Sequence, residues 1–149
     1  MVSPSALPTG QAGSLRTGLS NQRFLLDTHT FLWWVTRDTR LPERVQTIIA
    51  DSGNDIFFSA ASAWEIAIKV QLGQMTLGGD PAELIPERVA ANGFLVLPIE
   101  VRHALHVATL PLLHRDPFDR LLIAQAQTED LAILTADPAI ARYDVAVAW

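Results

Sequence analysis

Along the chain, short apolar runs alternate with longer stretches whose apolar positions recur at helical spacing. That alternation predicts an α/β domain. The apolar runs predict strands over residues 24–26, 56–58, 94–99, 131–134 and 145–148, the third in spite of Pro98. The stretches between them predict helices over residues 28–36, 42–50, 59–72, 81–92, 100–109 and 116–129, and a short helical turn follows Pro138. Pro42 fits a first helical turn, and Gly73 and Gly93 each stop a helix. In the helix over 59–72, Trp64, Ile68 and Leu72 fall on one face and predict its packing side. Right-handed crossovers then give one parallel sheet flanked by helices.

A chain of 149 residues suits one domain. We read residues 1–22, with Pro4, Pro8, Gly10, Gly13 and Gly18, as a flexible tail and residues 23–149 as the domain. The tail lacks the continuous apolar core of a secretory signal, and no apolar run reaches the ~20 residues of a membrane span, so a cytoplasmic protein with no membrane partner is expected. With 49% hydrophobic and 18% charged residues the chain is too apolar to be disordered. There is no cysteine, which removes thiol nucleophiles, disulfides and thiolate zinc sites. Carboxylates and histidines remain as metal ligands, and they favour a hard cation. The net charge of -5 argues against nucleic-acid binding by bulk charge, unless bound cations and a few local arginines meet the phosphates.

The acids carry the chemistry. Asp27 and Asp137 each stand between a predicted strand and a predicted helix, where ligand sites form in open α/β sheets. Glu65 lies one or two turns into the helix after the second strand, and Asp116 and Asp119 open the helix before the fourth. Taken singly, each has a structural explanation. Asp116-Pro117 and Asp137-Pro138 read as helix cap followed by first-turn proline, Ser62 to Glu65 matches a capping box, and Glu65 with Lys69 makes a favourable i,i+4 pair. Together they are harder to dismiss, because Asp27 and Glu65 sit in apolar sequence. Carboxylates gathered out of water repel one another, and a divalent ion is the usual compensation.

The motifs Leu-Leu-Asp-Thr-His from Leu25, Trp-Glu-Ile-Ala-Ile-Lys from Trp64, His-Arg-Asp-Pro-Phe-Asp-Arg-Leu-Leu-Ile-Ala from His114 and Leu-Thr-Ala-Asp from Leu134 resemble, in order, those of the PIN-domain family. Within it, they look like the VapC-type toxins of bacterial toxin-antitoxin pairs. The resemblance implies a three-layer α/β/α sandwich with a four- or five-stranded parallel sheet. It also implies a Mg²⁺ or Mn²⁺ site made by Asp27, Glu65, Asp119 and Asp137, with Asp116 auxiliary or simply a cap. The implied activity is endoribonuclease, hydrolysing RNA by metal-activated water. The implied partners are an RNA substrate and a cognate antitoxin, and a homodimer is expected. The alternative is an inactive PIN-fold module that binds RNA or protein.

Arg115 and Arg120 flank Asp119 as candidates for phosphate contact, and His29 is a candidate for touching substrate. His103 and His106 stand three apart on a predicted helix but lack a zinc-protease pattern, so a structural role is expected. Of the adjacent Trp33 and Trp34, one is expected in the core and the other on a dimer or antitoxin surface. Similar folds fail on their own signatures. A receiver domain needs an acidic pair after its first strand and a late lysine, yet the only lysine is Lys69. A dehalogenase-like phosphatase needs an aspartate where His29 stands, and no phosphate-binding glycine loop is present.

Overall fold

A computed structural model describes residues 22–149, so the expected tail lies outside the described residues save its last position. The chain order is β1 (Arg23–Leu26), α1 (Thr28–Thr36), α2 (Glu43–Ala50), β2 (Asp55–Ser59), α3 (Ala60–Gln71), α4 (Pro81–Ala91), β3 (Leu95–Leu97), α5 (Val101–His106), α6 (Pro117–Glu129), β4 (Ala132–Leu134), α7 (Pro138–Ala141) and β5 (Val147–Ala148). The five strands form one sheet in the order β3-β2-β1-β4-β5, and every pairing is parallel.

The strands are almost wholly apolar because both faces are covered. Side chains alternate across a strand, so Phe24 and Leu26 enter one core while Leu25 enters the other. The first core joins them to Phe31 of α1, Val45 and Ile49 of α2, and Ile85 and Val89 of α4. The second gathers Leu122 and Ile123 of α6 and Ile140 of α7 beneath Leu25 and Ile133. Helix α3 serves both, through Ile66 on one side and Ala61 on the other. This is the expected three-layer sandwich, with five strands.

Some boundaries differ from expectation for local reasons. β3 ends before Pro98, whose nitrogen has no proton for a ladder. The helix expected over residues 100–109 becomes α5 followed by a 3₁₀ turn, Val107–Thr109. Pro42 caps α2 from outside instead of opening it. In α3 the buried positions include Ala61, Ser62, Glu65 and Ile66, whereas Trp64 is 56% exposed, Ile68 half-buried and Leu72 faces water, so the face of these three is largely the outer one. The cap of α3 is Ser59, whose Oγ accepts from the Ala61 N–H at 2.9 Å, so Ser62 and Glu65 form no capping box.

The order of pairing has a consequence for ligands. From β1 the chain builds outward to β2 and β3, then returns to the other side of β1 for β4 and β5. The carboxyl ends of β1 and β4 therefore flank a topological switch point, where α1 and α7 diverge and a cleft opens.

Candidate metal centre and nuclease site

Asp27 follows β1 and caps α1, its Oδ1 accepting from the Thr30 N–H at 2.8 Å. Its Oδ2 accepts from the hydroxyl of Thr135, which follows β4 and in turn accepts from the Asp137 N–H at 3.0 Å. The Thr30 hydroxyl donates to the Leu134 carbonyl at 2.8 Å. These bonds tie the two strand ends across the switch point. Asp27 is only 6% exposed, and it lines a cleft of about 260 Å³ together with Asp137, the cap of α7.

Glu65 reaches the site from α3 and is 3% exposed. Its Oε1 accepts from the Thr28 hydroxyl at 2.6 Å, with Ser62 Oγ a further 3.0 Å from that hydroxyl. Its Oε2 pairs with Lys69 Nζ at 2.8 Å. The Glu65 carboxylate holds the Lys69 ammonium above its usual range by this bond, and the charges of Asp116 and Asp119 add to the effect. Lys69 is thus a cation within reach of three acids.

Asp116 caps α6, Oδ1 accepting from the Phe118 and Asp119 N–H groups at 2.9 and 3.1 Å. Asp119 stands in the first turn of that helix. Burial pushes its carboxyl up to about 6, the charges of Asp116 and Asp137 push the same way, and a hydrogen bond from His114 opposes them. The donor is determined by the network around Tyr143. The Tyr143 hydroxyl accepts from the His114 N–H at 3.2 Å and from Arg120 Nη1 at 3.1 Å, which leaves its own proton for His114 Nδ1 at 2.8 Å. The ring proton then belongs on Nε2, 3.2 Å from Asp119 Oδ2.

The five acids lie in one region at one end of the sheet: Asp27 and Asp137 share a cleft, Asp119 lies in the fields of Asp116 and Asp137, and Lys69 in those of Glu65, Asp116 and Asp119. Yet their ligating atoms do not close into a group within 4.8 Å. Asp116 does cap its helix, as the sequence suggested, and does so while facing Asp119. The donor set is all carboxylate and hydroxyl oxygen, which suits a hard divalent cation. Lys69 is the ammonium paired with Glu65, and the Asp119 carboxyl is raised first by its burial and then by the charges of Asp116 and Asp137. The residues present fit Mg²⁺ or Mn²⁺.

The flanking candidates separate. Arg115 is exposed. Arg120 is buried, donating to the Pro111 carbonyl at 2.7 Å, the Val107 carbonyl at 3.4 Å and the Tyr143 hydroxyl, so a phosphate contact is excluded by its direction. His29 is exposed near the cleft. Trp33 and Trp34 are both half-buried, with Trp34 Nε1 donating to Asn92 Oδ1 at 2.8 Å. Elsewhere among the described residues, Glu100, His103 and Glu129 bring ligating atoms within 4.8 Å of one another. This triad is already satisfied. His103 Nδ1 accepts from the Glu100 N–H at 3.0 Å, Nε2 bonds Glu129 at 2.8 Å, and Arg102 pairs with both glutamates. Sequence reasoning missed Thr28, Ser62, Thr135 and Tyr143, whose hydroxyls hold the acids and their partners in place.

A parallel α/β/α sandwich with acids at its switch point places them where ligand sites form in such sheets. The sequence profile described as the PIN domain matches residues 24–146, and the chain belongs to that family. It is 38% identical over 61 residues to Ribonuclease VapC16 of Mycobacterium tuberculosis, a match covering 41% of this chain and 43% of that protein. Its fold resembles VapBC2 from Rickettsia felis bound to a promoter DNA fragment, with a TM-score of 0.65 at 11% identity over 85% of this chain and 98% of that one. It also resembles FitAcB from Neisseria gonorrhoeae, with a TM-score of 0.56 at 24% identity over 83% of this chain and 95% of that one. At these identities the structural likeness concerns the fold alone.

Proposed function

We propose that this chain is a metal-dependent endoribonuclease and the toxin of a VapBC-type toxin-antitoxin pair, acting in the cytoplasm. The observation that supports the reading is that Asp27 and Asp137 share the cleft at the switch point while Asp119 lies in the field of Asp137 and buried Glu65 is paired with Lys69 in the fields of Asp116 and Asp119. Helix caps gather at this end of a parallel sheet by topology alone, but Glu65 caps no helix and is buried beside Lys69.

Asp27, Glu65, Asp119 and Asp137 would hold Mg²⁺ or Mn²⁺, with Asp116 behind Asp119. When bound, the ion would supply charge neutralisation at the phosphate and acidify a water. The chain's own residues do the positioning. Thr135 and the Thr30 N–H fix both oxygens of Asp27, and Thr28 and Lys69 fix those of Glu65, so neither carboxylate has to be ordered when substrate arrives. The Tyr143–His114 relay orients Asp119. Exposed Arg115, and His29 near the cleft, are the groups we assign to substrate. Exposed Val101, Leu105 and Leu112 offer apolar surface for an antitoxin or a second copy of the chain, and the partner named in the VapBC2 and FitAcB structures supports the first.

Cleavage of single-stranded RNA in Mn²⁺ or Mg²⁺, set beside EDTA, tests the reading. Cutting should require the ion, and Asp27→Asn, Glu65→Gln and Asp119→Asn should each slow it about a hundredfold or more. Asp116→Asn should do less. Cutting that persists in EDTA, or in the Asp119 variant but not the Asp116 variant, would overturn the assignment.

A further inference from the structure

The cleft beside Asp27 and Asp137 has a second wall of different chemistry, built by His29, Trp33 and Arg40. The Arg40 guanidinium lies over the Trp33 ring, 4.8 Å from its centroid. Trp33 is braced edge-on by Trp149 at 5.8 Å, and the His29 ring stands 6.1 Å away. Arg40 is also held in orientation. Its Nε and Nη2 donate to the two oxygens of Asp38 at 3.0 and 2.7 Å, and its backbone N–H donates to the same carboxylate at 2.9 Å. A guanidinium fixed in this way, on a side chain that is 67% exposed, presents a pre-oriented flat surface to solvent.

We propose that this wall is a nucleotide subsite. A base of single-stranded RNA, next to the phosphate held at the acid cleft, stacks on the Trp33–Arg40 pair. The inference rests on the nuclease reading above and deepens it. Planar guanidinium and aromatic surfaces are the usual platforms for unpaired bases. At about 260 Å³ the cleft is smaller than the ~300 to 1,000 Å³ of pockets that enclose whole ligands, so it suits one flat base of a longer strand. A chain of net charge -5 also has little bulk attraction for phosphate, and stacking supplies affinity that coulombic attraction does not.

The test is anisotropy of a 5′-labelled single-stranded RNA hexanucleotide with Ca²⁺ in place of Mn²⁺, beside initial cleavage rates in Mn²⁺. Arg40→Ala should weaken binding about tenfold, in the range of one lost base stack. It should raise KM with little change in kcat. Arg40→Lys keeps the charge and loses the plane, so it should lose most of the same affinity. Trp33→Phe, which keeps a smaller ring, should fall between. If Arg40→Lys binds like the parent, only charge matters and the stacking subsite is wrong. If the parent cuts RNA and Arg40→Ala binds and cuts equally well, the subsite fails while the nuclease reading stands, as it would if this wall took an antitoxin side chain instead. Binding that depends on Arg40 without any cleavage in Mn²⁺ would keep the subsite and remove the nuclease. A parent that does neither would remove both.

Discussion

Asp119→Asn should stabilise the metal-free protein above pH 6 and make no difference near pH 4. The folded carboxyl is pushed from 3.8 to about 6 by burial and by Asp116 and Asp137. Its folded form keeps a proton that the unfolded chain has already lost, so stability falls as pH rises through that window and the penalty is complete above it. At 1.36 kcal/mol per pH unit, the interval from 3.8 to about 6 comes to about 3 kcal/mol as an upper bound. Asparagine keeps the shape, and its Oδ1 can still accept from His114 Nε2, while the helix cap belongs to Asp116. At ~2–4 °C per kcal/mol for a chain of this size, the variant should melt up to about 6–12 °C above the parent at pH 7 in EDTA. Melting both proteins from pH 4 to 8 in EDTA isolates the effect, because the other titrations are common to both. A difference that stays flat across this range would show that the Asp119 carboxyl is not raised by its burial and its acidic neighbours.

The other predictions concern partners in the same region. Lys69→Met should cost about 1–3 kcal/mol by leaving buried Glu65 unpaired, and adding Glu65→Gln should recover part of it in denaturant melts; equal losses in single and double variants would deny the coupling. Arg120→Met should cost about 2–4 kcal/mol by orphaning two carbonyls and removing one donor from the Tyr143 hydroxyl. Its cleavage per folded molecule should stay unchanged, whereas a selective loss of RNA affinity would restore the phosphate role. Deleting residues 1–22 should alter neither melting nor cleavage, and a fall in either would give that segment a role.

Much of the architecture was legible because β1 and β2 are short apolar runs followed at once by a cap or a helix, and β4 is one followed two residues later by the cap Asp137. Asp27 and Asp137 were legible for the same reason, as acids at strand ends. Helix α3 was misread because its buried side carries Ser62 and Glu65 for the site, while Trp64 and Leu72 face out. A helix that supplies a polar site to the interior inverts the usual amphipathic pattern, and periodicity alone then selects the wrong face. Arg120 was misassigned because adjacency to Asp119 in sequence says nothing of direction; on α6 successive residues point different ways, and Arg120 turns toward Tyr143. The threonines that hold Asp27 and Glu65 could not be found from spacing, since Thr135 meets Asp27 only when β1 and β4 pair.

Where the cation binds decides the function of this cleft, and Mn²⁺ titration followed by electron paramagnetic resonance of the free ion measures that without any substrate. Comparison of the parent with Asp27→Asn and His103→Gln separates the acid cleft from the Glu100–His103–Glu129 triad. We expect the parent to bind Mn²⁺, His103→Gln to bind it equally well, and Asp27→Asn to bind it at least about tenfold more weakly, as loss of a ligand requires. Binding that survives Asp27→Asn and disappears with His103→Gln would contradict the assignment of the metal centre to the switch point.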